Sequence, residues 1–179
     1  VTGLRITPWI RGADVWLTGP GMAEMWAIGA ETGQAMCCLI DPSDLSAVSR
    51  MCVRFPKTPV VIDHFARIGV DGLIRNEDLG QLCKLAKHPQ VKVKISAYYA
   101  LGKKKPPHDE LVPMIRKLLD AYGPERLMWA SDAPYQMTEG NSYQASIELI
   151  TERLEFLTDS DRDLLLRKTA ASTYDFELA

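Results

Sequence analysis

The chain is poor in the residues that announce the commoner enzyme chemistries. Among 179 residues there are three histidines, His64, His88 and His108, and four cysteines, Cys37, Cys38, Cys52 and Cys83. The cysteines have neither CxxC spacing nor the pattern of a small disulfide framework, which argues against a zinc knuckle or a stapled secreted domain. Neighbours in a strand-like run, Cys37 and Cys38 should point to opposite sheet faces, and all four read as buried free thiols without catalytic role. No Gly-x-Ser-x-Gly elbow, Gly-x-Gly-x-x-Gly loop or Gly-x-x-x-x-Gly-Lys cradle occurs, so the nucleophile elbow, the dinucleotide fingerprint and the P-loop are absent. Apolar runs such as Ala35 to Ile40 fall far short of the roughly 20 residues of a membrane span. With 21 basic against 23 acidic residues the net charge is −2, and no field of one sign draws nucleic acid or an anionic membrane. Neither is an expected partner. The reduced thiols and the lack of a signal peptide point to the cytoplasm.

What is present is ordinary core-forming material, 46% apolar and 25% charged. Strand-like runs at Gly3 to Pro8, Ala35 to Ile40, Pro59 to Asp63, Val91 to Ser96 and Arg126 to Ser131 alternate with helical stretches. The helices are expected at Gly21 to Thr32, Ser43 to Phe55, Asn76 to Lys87, Asp109 to Tyr122, Tyr143 to Phe156 and Ser160 to Tyr174, with Ser43 and Asn76 as N-caps. Strict β/α alternation with strands apolar on both faces predicts an α/β fold with a parallel sheet, open or closed into a barrel. The irregular stretch from Ala97 to His108 follows a strand and belongs on the face where such folds keep their sites. Its Lys103, Lys104 and Lys105 are either a solvated run or a cationic rim.

Three apolar runs deliver polar residues near their carboxyl ends: Arg5 in the first, Asp63-His64 in the third, Ser131-Asp132 in the fifth. Packed parallel strands reach a pocket only at that end, so these are candidates for chemistry. Asp132 reads equally as a base or as a turn residue before Pro134. His64 is either a hydrogen-bonded structural imidazole or a site residue. Asp63 alternates away from it and reads as structural. Arg5 serves an anion or an ion pair within the barrel, and Arg11 lies close behind it. Of Tyr98 and Tyr99, one hydroxyl can reach a ligand while the other packs. Trp9, Trp16, Trp26 and Trp129 read as core or pocket wall.

Taken together, Leu4-Arg5-Ile6-Thr7-Pro8, Val60-Val61-Ile62-Asp63-His64, Val93-Lys94-Ile95-Ser96 and Leu127-Met128-Trp129-Ala130-Ser131-Asp132-Ala133-Pro134 resemble the amidohydrolase superfamily, in the amidohydrolase-2 branch of lactonases and related decarboxylases. The likeness runs on through Lys168-Thr169-Ala170-Ala171. It implies that residues 1–179 form one partial-barrel domain, strands four to eight of a (β/α)₈ barrel plus the closing helices. The branch's first-strand His-x-His pair has no counterpart here, and neither His88 nor His108 can replace it. With Val1 rather than methionine just before a strand, upstream sequence is expected. Activity is expected of the intact protein and not of this stretch alone.

The resemblance implies Asp132 as the base that deprotonates water and His64 as the group that polarises a carbonyl. Arg5, Arg11, Tyr98 and Tyr99 would contact a small, anionic substrate. It also allows one divalent metal, zinc or manganese, at Asp132 and His64, and equally a metal-free site. The run from Ala35 to Ile40 lacks the histidine of the branch's metal-dependent decarboxylases, which favours opening of a carboxylated or sugar lactone over loss of carbon dioxide. A third reading is a non-catalytic barrel remnant whose open edges require a partner, with a homo-oligomer as one solution.

Overall fold

In a computed structural model, residues 2–8, 12, 15–138 and 140–177 are described, save the side chains of Trp16 and Leu17. Five strands, β1 (Gly3–Ile6), β2 (Ala35–Cys38), β3 (Val60–Ile62), β4 (Val91–Ser96) and β5 (Leu127–Ala130), form one sheet in the order β1-β2-β3-β4-β5. Every neighbouring pair is parallel, with Arg5 beside Cys37, Cys37 beside Val61 and Lys94 beside Met128. Helices α1 (Val15–Thr18) and α2 (Pro20–Thr32) follow β1, α3 (Leu45–Arg54) follows β2, α4 (Asn76–Lys84) follows β3 and α5 (Val112–Tyr122) follows β4. After β5 come α6 (Tyr143–Glu148), α7 (Asp159–Asp163) and α8 (Thr169–Tyr174), linked by π-helical turns at Leu149–Arg153 and Leu164–Lys168. This is an α/β fold built of five β/α units.

Local chemistry sets the helix limits, and it corrects two expected caps. Pro42 occupies the first helical position after Asp41, so Asp41 is the extended residue there and its backbone N–H donates to Asp44 Oδ2 at 3.2 Å. Ser43 therefore lies inside the turn instead of capping it. Asn76 is likewise the first residue of α4, and its Oδ1 accepts from Lys117 Nζ at 2.8 Å, tying α4 to α5. Gly33, at φ 73°, closes α2 in the left-handed region that glycine enters without penalty.

Strand alternation divides the sheet into two unlike faces. Met36, Cys38, Val60, Ile62, Val93 and Ile95 face the helices and join Trp26, Met51, Leu82 and Leu118 in the main core. Ala35, Cys37, Val61 and Met128 face the other way and form a smaller cluster, against which Ala170 and Tyr174 pack. Cys37 and Cys38 thus fall on opposite faces, and Cys37, Cys38, Cys52 and Cys83 are all free thiols. Trp26 packs in the core against Phe55. Trp129 donates its indole N–H to Ser146 and meets Tyr143 edge-on, so it serves as packing. Trp9 lies outside the described residues, and so does Arg11. No described helix is long and apolar enough to cross a membrane.

Candidate active site

Three adjacent strands end alike. Just beyond β3, β4 and β5, the residues His64, Ala97 and Asp132 take positive φ angles of 52°, 59° and 53°. Phe65, Ala66 and Arg67 continue in the same region after His64, giving four successive left-handed residues, none of them glycine. Each costs roughly 1–2 kcal/mol against the right-handed form. Complete burial of Phe65 and Ala66 opposes that cost. Strain of this kind, concentrated at strand ends, marks a place where side chains are aimed at the expense of backbone comfort.

The aimed side chains converge. His64 Nδ1 lies 2.8 Å from Ser96 Oγ, and its Nε2 faces Asp132 Oδ1 at 3.8 Å. Tyr99 donates its hydroxyl to Asp132 Oδ2 at 2.8 Å. The backbone N–H of Tyr99 is held in turn by Gln136 Oε1 at 3.3 Å, and its ring stacks on Tyr135. Burial lowers the His64 pKa from its ordinary 6.5, opposed by the negative charges of Asp132 and Asp63. Burial, reinforced by the bond to Asp132, raises that of the Tyr99 phenol, so it remains a donor at neutral pH.

These groups border a cavity of about 360 Å³ lined by His64, Asp132, Tyr99, Tyr135, Arg5 and Arg67, with apolar walls from Leu39, Val70, Ala97, Ala100 and Leu101. Of the residues expected at the site, Asp132, His64, Arg5 and Tyr99 come together here. Tyr98 does not. It is completely buried, donates to the Ile95 carbonyl at 3.0 Å and packs on Phe65 and His108, because the left-handed turn at Ala97 sends one tyrosine to the core and the next to the cavity. Arg5 makes the ion pair that was one of its two expected roles. Its Nε pairs with Asp63 Oδ2 at 3.0 Å while half of the side chain remains exposed at the cavity. Lys103, Lys104 and Lys105 are exposed and line no part of it, as the solvated reading has it.

Sequence reasoning missed Ser96, Arg67 and Gln136. Arg67 borders the cavity and pairs with Asp41 at 2.9 Å, bringing a second guanidinium to the site. The signal for Ser96 was its position as the last residue of a strand beside His64's own, but serine is too common there to stand out.

A divalent metal would find two donors, His64 Nε2 and Asp132 Oδ1. Among the described residues no group of three or more His, Cys, Asp or Glu converges. A zinc site takes at least three protein ligands, so the described residues alone do not make one.

Comparisons with known proteins agree with this architecture. The chain is 28% identical over 131 residues to the L-fucono-1,5-lactonase of Burkholderia ambifaria, covering 72% of this chain and 44% of that one. A crystal structure of a putative 2-pyrone-4,6-dicarboxylic acid hydrolase from Pseudomonas putida superposes with TM-score 0.79 at 27% identity, covering all of this chain and 65% of the other. An amidohydrolase from Burkholderia multivorans, crystallised with zinc, matches with TM-score 0.84 at 23% identity over 98% of this chain and 64% of its own, a likeness of fold. The chain therefore spans less than half of the curated relative and about two thirds of the solved structures. The amidohydrolase family profile matches residues 2–176, nearly the whole length, and the chain belongs to that family.

Proposed function

We propose that the protein is a lactone hydrolase and that this chain supplies the base, the carbonyl-polarising group and an anion-binding wall of its site. On this reading the five β/α units are the C-terminal five of an eight-stranded barrel, in one domain, and strands outside this chain complete the pocket. The observation that carries the reading is that His64 Nε2 and Asp132 Oδ1 stand 3.8 Å apart on the lining of one cavity, too far for a direct hydrogen bond and near enough for one oxygen beside them to contact both.

Asp132 accepts a proton from the attacking water as its oxygen adds to the lactone carbonyl. His64, neutral because burial lowers its pKa, donates from Nε2 to the developing oxyanion. Collapse of the tetrahedral intermediate breaks the ring C–O bond, and the proton held by Asp132 passes to the departing alkoxide, leaving a hydroxy acid. Arg5 and Arg67 attract a carboxylate on the substrate, each keeping its own carboxylate partner in Asp63 and Asp41. Names among the relatives support ring-ester hydrolysis, since one is a sugar lactonase and another a pyrone-dicarboxylate hydrolase.

The test is to offer the whole protein carboxylated and sugar lactones and follow acid release together with ring opening. Turnover of a lactone without loss of carbon dioxide supports the proposal. Carbon dioxide release from an aromatic acid, with lactones untouched, overturns it in favour of a decarboxylase.

A further inference from the structure

One short segment grips both members of the His64 and Asp132 pair. Ser96, at the end of β4, reaches Nδ1 of the imidazole, and Tyr99, three residues on, reaches Oδ2 of the carboxylate, both at 2.8 Å. The segment is itself anchored between those contacts. Ala97 turns the chain through a left-handed conformation, Tyr98 is buried and bonded to the Ile95 carbonyl, and Gln136 holds the Tyr99 N–H. Ser96 is fully buried, and its hydroxyl has no other side-chain partner among the described residues. Left to themselves, an imidazole and a carboxylate close to hydrogen-bond distance, about 2.7–2.9 Å. Here they stand 3.8 Å apart, each turned toward a separate hydroxyl.

Charge complementarity then decides where the imidazole proton sits. Nε2 looks toward a carboxylate oxygen, an acceptor only, so a bare lone pair on Nε2 would face negative charge. With the proton on Nε2, Nδ1 becomes the acceptor and the Ser96 hydroxyl the donor, and every group has a complementary partner. We propose that Ser96 and Tyr99 are a positioning pair: Ser96 donates to His64 and fixes the Nε2–H tautomer, while Tyr99 draws Asp132 aside, and together they keep the gap between base and polariser open. Neither need touch the reacting atoms. This role rests on the hydrolase reading for its catalytic consequence, but not for its structural content.

Two measurements separate them. Nitrogen-15 correlation spectra of the whole protein, labelled at histidine, at neutral pH should show His64 protonated on Nε2 and bare on Nδ1, a mixture of tautomers in Ser96→Ala, and no change of tautomer in Tyr99→Phe. A wild-type His64 protonated on Nδ1 overturns the proposal outright. In the whole protein, Ser96→Ala and Tyr99→Phe should each lower kcat by up to about a hundredfold with KM nearly unchanged, the signature of misplaced reacting groups. Urea unfolding of both variants confirms that the fold persists. If Asp132→Asn abolishes turnover while Ser96→Ala alters neither tautomer nor kcat, the positioning role fails and the hydrolase reading stands. If Asp132→Asn turns over normally while the tautomer shifts as stated, the hydrolase reading fails alone.

Discussion

Lys94 Nζ stands 3.0 Å from Asp63 Oδ1, and Arg5 Nε stands at the same distance from Oδ2, so one wholly buried carboxylate lies between two cations on the sparsely covered face of the sheet. Both oxygens lie off good hydrogen-bond directions, which makes this a union of charge more than of bond geometry. Desolvating the carboxylate is costly and the pairing offsets it, so breaking the set should cost far more than replacing it. Asp63→Ala should lower the unfolding free energy by about 3–5 kcal/mol, because Lys94 is left nearly buried and unpaired. Asp63→Leu combined with Lys94→Met should recover most of that loss, read from urea midpoints.

The neighbouring tyrosines should separate cleanly. Tyr98→Phe removes the donor to the buried Ile95 carbonyl and should cost about 1–2 kcal/mol of stability without changing ligand affinity or turnover. Tyr99→Phe removes a donor at the cavity rim and should act on kcat with little effect on the urea midpoint.

Most of the framework was legible in the sequence, for a physical reason. Strands of a covered parallel sheet are mostly apolar, so all five stand out in the sequence, and a polar residue just past such a run, as at His64 and Asp132, stands out with them. Ion-pair partners are less visible: Lys94 alternates with valine and isoleucine in β4 and resembles any strand lysine until Asp63 is seen beside it. The left-handed run from His64 to Arg67 has no local signal at all, since its residues favour φ below zero and only tertiary packing imposes the turn. That turn brings Arg67 to the cavity. The caps shifted for a simpler reason, proline at the first helical position before Ser43 and a cross-helix bond from Asn76.

Acid should loosen the fold through His108. This imidazole is fully buried, its pKa is lowered from 6.5 chiefly by burial against the pull of Glu110 and Asp109, and neither ring nitrogen has a hydrogen-bond partner among the described residues. With the folded pKa below the unfolded one, the unfolded chain binds more protons. The contribution is fully present above 6.5 and is lost as pH falls from there through the folded value. His108→Phe, which keeps the ring contact with Tyr98, should raise the urea midpoint at mildly acidic pH more than at alkaline pH. Parallel losses in both proteins on acidification would contradict this.

Thiol reactivity should follow burial. Cys37, Cys38 and Cys52 are buried, and burial pushes the Cys52 thiol up to about 12, whereas Cys83 is only partly covered. A disulfide reagent should modify Cys83 first in the native chain and reach all four only after unfolding.

The most direct test of the hydrolase account is the kinetics of Asp132→Asn in the whole protein, with a lactone that the wild type opens. The substitution keeps the shape of the side chain and its capacity to accept from Tyr99, but removes the proton acceptor. The account predicts that kcat falls by about 10²–10⁴ with KM little changed. Undiminished turnover by Asp132→Asn would contradict it.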